Sequence, residues 1–262
     1  MNLDVLVATM NQKDYSLVEN MRIDTDAIIC NQNTEKTGYH KYIYNSNTIR
    51  WYDFEEKGVG LNRNNALLRS NADICLLADD DVEFVDGYEE IILNAFKNNP
   101  KADVIIFNIY TSENEKRYVI KKKFRVNKLN CGRFGAVRIA FRRTKIIKNV
   151  ITFNQLFGGG AMFTAGEDTM FIEDCLRKGL RVIAVPDYIL TLKDIRESTW
   201  FTGYNDKFFE DMGSSYYCHF GNMAFIMAFI QLFRRKNVWL KERGFFDAFN
   251  KVKKGIKKYK NL

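Results

Sequence analysis

The chain has 262 residues, 46% of them hydrophobic and 14% aromatic, enough apolar material for one large domain or a domain with an appendage. With only two prolines, Pro100 and Pro186, and no Gly/Ser-rich tract, it is neither disordered nor linker-dominated. No apolar run approaches the ~18–20 residues of a membrane-spanning helix, and the opening MNLDVLVATM lacks the basic flank of a secretion signal.

The five cysteines, Cys30, Cys75, Cys131, Cys175 and Cys218, are odd in number, widely spaced and without a CxxC pair. This argues for free thiols in a reducing compartment and against a disulfide frame or a zinc knuckle. The net charge of +8 is concentrated at one end: residues 231–262 hold 11 Lys/Arg and 2 Asp/Glu, the other 230 residues 29 and 30. A neutral body with a basic tail suits an anionic partner, a membrane surface or a nucleic acid.

In chain order, LDVLVAT (3–9) and DAIIC (26–30) are short apolar runs of the buried-strand type. A helix is predicted over 59–70, opening after Gly58 and Gly60. ICLLA (74–78) is a third strand and ends abruptly in Asp79-Asp80-Asp81. An amphipathic helix over 87–99 is closed by Asn-Asn-Pro, and VIIFNIY (104–110) is a fourth strand. This β–α–β rhythm predicts an α/β fold with an open, mostly parallel sheet flanked by helices. RYVIKKKFRV and AVRIAFRR read as strands of a more antiparallel kind. Residues 167–178 form a helix with acidic start, basic end and a Gly179 stop, and RVIAVP (181–186) is a further strand. After about residue 200 the pattern turns helical. MAFIMAFIQLF (223–233) is apolar on all sides except Gln231, but as a helix is only about 16 Å long. Phe245, Phe249, Val252, Ile256 and Tyr259, with six lysines between and around them, mark a basic amphipathic helix.

Three segments carry chemistry. Asp79, Asp80 and Asp81 follow a buried strand, at the end where open α/β sheets bind ligands. Adjacent carboxylates repel one another unless a cation or solvent relieves them, so the triplet reads as a site for Mg²⁺ or Mn²⁺, or as a solvated turn. GVGLNRNNALLRSN places Arg63 and Asn64 in the first helical turn behind Gly58 and Gly60, which suits a diphosphate or simply feeds a surface helix. FGGGAMFTAGEDTMF offers a mobile loop at Gly158, Gly159 and Gly160, then Glu167-Asp168 at a helix start. There carboxylates serve the helix dipole or, beside a metal-diphosphate site, general-base catalysis.

In this order, the N-terminal strand, Gly-x-x-Arg-Asn before an apolar strand, Asp-Asp-Asp, and GEDTMFIEDCLRKGLRVIAVP resemble the family 2 nucleotide-sugar glycosyltransferases of GT-A fold. The resemblance covers about residues 1–200, with a nucleotide-sugar half to about 110 and an acceptor half beyond it, followed by a helical basic extension over 201–262. It implies a Rossmann-like sheet and inverting transfer of one sugar, dependent on a divalent cation (Mn²⁺ or Mg²⁺). The donor is a nucleoside-diphosphate sugar, most commonly of UDP; the acceptor is a hydroxyl on a glycan or lipid-linked glycan of surface polysaccharide. It implies Asp168 as base with Glu167 beside it, and Asp81 and Asp79 on the metal with Asp80 assisting. Ala8, Thr9 and Met10 would cradle the nucleotide base, and Arg63 and Asn64 would lie beside base or diphosphate. Gly158–Gly160 would shape the acceptor side.

The chain departs from the family at several points. Asn31-Gln32 stand where many relatives carry an aspartate for base recognition. The Gln-x-x-Arg-Trp element of processive synthases is absent, which implies one sugar per encounter. The stretch LKDIRESTW lacks the metal-binding histidine of many relatives, leaving Asp194, Glu197 or no third ligand. The two histidines, His40 and His219, stand apart from these segments; His219 is a metal ligand or, like most lone histidines, an ordinary surface or core residue. Trp200, Phe201, Gly203 and Tyr204 line an acceptor pocket or pack the junction with the tail. The basic helix implies a peripheral seat on the inner face of the plasma membrane, or a helix packed on its own domain in the cytoplasm. A nucleotidyltransferase and an inactive membrane scaffold are the competing readings. No nucleic-acid-binding motif is present, and a nucleic-acid partner is not expected.

Overall fold

A computed structural model describes residues 1–32, 34–111, 117–193 and 203–262. It divides into two compact units: Met1–Gln155 with Glu167–Arg196, and Leu156–Gly166 with Glu197–Leu262.

The first unit is built on one sheet. Its strands are β1 (Leu3–Met10), β2 (Asp26–Gln32), β3 (Gly38–Tyr44), β4 (Asn47–Phe54), β5 (Ile74–Asp79), β6 (Val82–Phe84), β7 (Val104–Tyr110), β8 (Phe124–Arg125), β9 (Ile139–Arg142) and β10 (Val182–Leu192). The order is β3-β4-β2-β1-β5-β9-β7-β10-β6, with β8 on β10. β4, β2, β1 and β5 are parallel neighbours, as are β7 and β10; β9 is antiparallel to both β5 and β7.

Between these strands lie α1 (Leu17–Asn20), α2 (Val59–Arg69), α3 (Tyr88–Asn98), α4 (Arg143–Lys148) and α5 (Glu167–Arg177). The apolar runs are continuous because both faces of the sheet are covered. Val5, Val7, Ala27 and Ile29 pack with Val18, Ile92 and Phe96 on one face. Leu6, Ile28 and Cys30 pack with Ala66, Leu67, Phe171 and Ile172 on the other. No disulfide forms, and burial pushes the Cys30, Cys75 and Cys175 thiols up to about 12.

Several elements differ from the sequence reading. Of RYVIKKKFRV only Phe124–Arg125 is strand, and Ala136–Arg138 is a 3₁₀ turn leading into β9. The β3–β4 hairpin had no strong apolar signal. It turns through Asn45 and Ser46, at φ 47° and 69°, the left-handed pair of a type I′ hairpin turn.

The second unit holds α6 (Asp206–Phe220), α7 (Ala224–Arg234), α8 (Lys236–Trp239) and α9 (Phe245–Lys260). Asn205 caps α6, its side chain accepting from Phe208 N at 3.0 Å. The apolar face of α9 is occupied within this unit: Ala248, Val252 and Ile256 are buried with Phe209, Ala224 and Ala228. Helices α6 and α9 meet at two glycines. A Cβ on Gly213 would lie 2.1 Å from the Val252 carbonyl oxygen, and one on Gly255 1.8 Å from that of Glu210. The Gly158–Gly160 segment is a hydrogen-bonded turn and not a free loop. Gly158 N donates to Phe163 O at 2.8 Å and Phe163 N to Leu156 O at 2.9 Å, while buried Phe157 and Phe163 pack on Tyr259.

Helix α7 is sided. Ala224, Ala228 and Leu232 are buried, while Phe225, Ile226, Phe229, Ile230 and Phe233 are exposed. Among the described residues, no helix is long and apolar enough to cross a membrane.

Candidate active site

The carboxyl ends of β1, β2 and β5 are level with one another: Thr9 is in register with Asn31, and Ala8 with Asp79. This brings three short polar segments to one edge, where the parallel topology leaves strand ends open to a ligand.

Arg63 organises that edge. From the first turns of α2 its Nη1 donates to Glu167 Oε1 and its Nη2 to Asp79 Oδ1, both at 2.8 Å. The guanidinium lies 5.6 Å from the Phe153 ring centre. Burial opposes its charge, but Asp79 and Glu167 outweigh burial and hold it above its ordinary value. One cation thus ties the end of β5 to the start of α5.

Asp168 follows Glu167. Its Oδ1 accepts from Thr169 N at 2.7 Å. Desolvation and the Glu167 charge push its carboxyl up to about 7, against the pull of Arg63. Such a group exchanges its proton near neutral pH and suits general-base work.

The three aspartates are held differently. Asp79 is paired with Arg63. Asp80 Oδ2 accepts from Thr9 Oγ1 at 2.7 Å and Gln12 Nε2 at 3.3 Å. Asp81 Oδ1 is buried and has no hydrogen-bond partner among the described residues. Burial, then Asp79 and Asp80, push the Asp81 carboxyl up to about 6. A buried carboxylate oxygen without a donor, beside two further carboxylates, suits a hard divalent cation. The described residues contain no preformed group of three His, Cys, Asp or Glu side chains around a metal position.

Several expected residues are occupied with the chain itself. Asn64 clamps Phe153: its Nδ2 donates to the carbonyl at 2.9 Å and its Oδ1 accepts from the N–H at 2.7 Å. Gln32 Oε1 accepts from Gly58 N at 2.7 Å. The close backbone approach at Gly60 is to Asn154, whose carbonyl oxygen would lie 2.6 Å from an added Cβ. Asn31 exchanges two 3.0 Å hydrogen bonds with the Gln12 backbone and donates to Asp53 Oδ1 at 2.7 Å.

Asp53 and Gln12 were not found by sequence reading. Asp53 stands opposite Asn31 in the β2–β4 pairing and also accepts from Trp51 Nε1 at 3.0 Å. A carboxylate is therefore present at this level of the sheet, one strand over from the expected one. The β4 register is the signal that would have located it. Met10 ends β1 partly exposed. Gly158, Gly159 and Gly160 belong to the second unit, as do Tyr204, which packs on Phe208, and His219 in α6. Trp200, Phe201, Asp194 and Glu197 lie outside the described residues.

A family model, glycosyl transferase family 2, matches residues 36–166, half the chain; the chain belongs to this family and is a glycosyltransferase. Solved structures confirm the GT-A fold. The crystal structure of S. aureus TarS 1–349 in complex with UDP-GlcNAc superposes with a TM-score of 0.65 at 16% identity, over 92% of this chain and 74% of that one. S. aureus TarS 1–349 alone gives 0.64 at 15% identity, over 97% and 81%. The longer S. aureus TarS structure gives 0.59 at 17% identity, over 82% of this chain but 39% of that one. No curated protein matches the chain in sequence.

Proposed function

We propose that this enzyme moves one sugar, with inversion, from a nucleoside-diphosphate sugar to an acceptor hydroxyl. The observation that carries the reading is the placement of Asp168: it follows Glu167 at the start of α5, which Arg63 ties to Asp79 at the end of β5, and burial and the Glu167 charge raise its carboxyl. In this scheme Asp168 takes the proton of the acceptor hydroxyl as that oxygen attacks the anomeric carbon. Arg63 holds Glu167 in place and Asp79 towards the donor. Thr9 and Gln12 orient Asp80. Asp81 and Asp79 would hold Mn²⁺ or Mg²⁺, which when bound supplies Lewis-acid neutralisation of the departing diphosphate. Uridine is the proposed base, supported by the UDP and UDP-GlcNAc complexes of the structurally similar TarS. Asp53, with Ala8, Thr9 and Met10, is proposed to face that base.

The acceptor is proposed to be lipid-linked, in surface polysaccharide synthesis at the inner face of the plasma membrane. Here α7 is the better membrane element than α9, whose apolar face is already buried. The exposed Phe225, Ile226, Phe229, Ile230 and Phe233 face is followed by Arg234, Arg235 and Lys236, a combination suited to an anionic bilayer. Ile226→Glu with Phe233→Glu, the two most exposed positions of this face, should abolish sedimentation with anionic vesicles and leave folding intact; unchanged sedimentation refutes the α7 seat.

The donor reading is tested by titration calorimetry of UDP, GDP, CDP and dTDP with and without Mn²⁺, on wild type and Asp81→Asn. Metal-dependent binding of UDP that is lost in the variant supports it. Folded protein that binds no diphosphate overturns the donor site.

A further inference from the structure

The first unit holds a cavity of ≈ 300 Å³ at the sheet edge opposite the aspartates. β9 is antiparallel to both β5 and β7, so β7 runs with β5, and β10 runs with β7. The amino ends of β7 and β10 therefore lie away from the edge that carries Asp79. The cavity sits there, between the end of α3 and the β8–β10 pairing. Ala102 and Ile183 line it as buried apolar residues, and Lys101, Lys123, Arg125 and Arg181 line it as exposed cations. No aspartate or glutamate stands among the described residues that line it.

The fold brings these cations together. Arg125 stands opposite Ile183 in the β8–β10 pairing, and Arg181 immediately precedes β10. Lys123 Nζ donates to Asn99 Oδ1 at 3.0 Å, which holds it beside α3. The carbonyl end of a helix attracts cations, but here those carbonyls have other partners. Asn99 Nδ2 donates to Ala95 O at 2.9 Å, and Arg142 donates to Phe96 O at 3.3 Å and Ala102 O at 2.9 Å. Elsewhere on this unit exposed cations meet carboxylates: Arg22 meets Glu83 and Asp86, and Lys193 meets Glu83. Asp103, beside Ala102, is engaged with the Arg181 backbone N–H at 2.9 Å and with Lys145 Nζ at 3.6 Å. Among the described residues, none of the four lining cations has a carboxylate on its side chain.

A cleft lined by one sign of charge over an apolar wall focuses its field on a ligand of the opposite sign. A carboxylate brings one negative charge. A phosphate monoester brings about −1.5 to −2 near pH 7 and three acceptor oxygens, which suits two guanidinium forks and two ammonium groups. The volume is at the small end of ligand pockets.

We propose that this cavity binds a phosphate monoester, its phosphate on Arg125, Arg181 and the two lysines, and its body against Ala102 and Ile183. The ester is that of a small soluble molecule or of a lipid headgroup. It is a second ligand, bound apart from the donor carboxylates, and the reading does not depend on Asp168.

The test is titration calorimetry of the full chain, in EDTA and at constant ionic strength, with glycerol 3-phosphate and separately with dihexanoyl phosphatidate below its micellar concentration. The two probes carry the same phosphate ester without and with acyl chains. Wild type should bind at least one of them saturably. Arg125→Gln with Arg181→Gln should weaken that binding at least tenfold. Lys101→Gln, on an exposed turn, should weaken it at least threefold and carries the test should the double variant not fold. Lys241→Gln with Lys257→Gln removes the same charge from the second unit and should change it less than twofold. UDP affinity, measured with Mn²⁺, should also change less than twofold in the cavity variants. Phosphatidate bound at least tenfold more tightly than glycerol 3-phosphate assigns the lipid headgroup, and any smaller preference assigns the soluble ester. Absence of saturable binding by wild type, or losses in the cavity variants below these thresholds, overturns the site. An equal loss in the second-unit pair means general attraction to a cationic surface and overturns it too. A larger loss of UDP affinity places these cations on the donor and overturns the separate site.

Discussion

Replacing Arg63 by methionine keeps the aliphatic stem and removes the cation that joins the two carboxylate-bearing elements. The Arg63 side chain is 5% exposed and its partners Glu167 and Asp79 are 11% and 35% exposed. Breaking a buried pair by removing one partner costs about 3–5 kcal/mol. The Asp79 arm is screened by solvent, so the lower end applies: about 3 kcal/mol, or roughly a hundredfold in the folding equilibrium. The loss should depend on pH. Burial and Glu167 already place the Asp168 carboxyl above its unfolded value, and Arg63 is what restrains it. A carboxyl raised in the folded state holds its proton more tightly there, so stability is lost as pH rises through the folded value. Without Arg63 that value climbs further. Urea unfolding at pH 5.5, 7.0 and 8.5 should show a deficit throughout, from the lost Glu167 and Asp79 pairs, that grows towards the alkaline end as Asp168 ionises. A deficit under about 1 kcal/mol at pH 8.5, within the range of an exposed ion pair, would refute the reasoning. A deficit independent of pH would do the same.

Three further outcomes follow from the geometry. Asp168→Asn should lower kcat by about 10²–10⁴ with UDP affinity retained, and the wild-type rate should rise with pH through about 7 as the base is deprotonated; a flat profile excludes Asp168 as the base. Asp81→Asn should be more stable than wild type at pH 8 by on the order of 2 kcal/mol, since the carboxyl sits near 6 and its charged form is disfavoured. That advantage should shrink towards pH 4.5 in denaturant titrations. Gly255→Ala places a Cβ 1.8 Å from the Glu210 carbonyl oxygen and must spread α6 from α9. The expected cost is about 1–3 kcal/mol or more, read as an earlier loss of helical signal, and unchanged helix melting would contradict the close crossing.

The parts of the fold legible in the sequence are those where burial dictates composition. β1, β2, β5 and β7 are buried on both faces, so they appear as unbroken apolar runs. β3 has exposed residues and carries Tyr39, His40 and Lys41 outward, so it resembles a loop; only the Asn45-Ser46 turn betrays it. In the tail, the spacing of Phe249, Val252 and Ile256 marks a helix face, but a face does not name its partner. Gly213 and Gly255 are the residues that make α6 the partner, and their meaning emerges only when the two backbones are seen to touch. Gly158–Gly160 misled for a related reason. Glycine permits mobility, but here buried Phe157 and Phe163 pin the turn, and Gly158 and Gly160 supply φ of 101° and 80°. At the site, Asp79, Asp81, Arg63 and Glu167-Asp168 were legible as charged clusters at element ends. The Arg63–Glu167 link spans 104 positions and was not, since nothing local pairs them.

Asp81 and Asp168 each carry a charge that the folded chain stabilises poorly, and both lie in the first unit around one sheet edge. The two carboxylates become costly as pH rises past about 6 and 7, so a ligand bringing positive charge should stabilise most where they are ionised. Binding to the native state alone adds RT ln(1 + [L]/Kd), about 2.7 kcal/mol at a hundredfold excess over Kd. Protonation of Asp81 competes with a cation for the same oxygen, so the apparent Kd should worsen about tenfold per pH unit below about 6. The rise in Tm on adding Mn²⁺ with UDP should therefore be large at pH 8 and nearly vanish at pH 5, and Asp81→Asn should abolish this pH dependence. A Tm rise of equal size at both pH values would mean that the ligand is held by groups other than these carboxylates, and that the strain at Asp81 serves no cation.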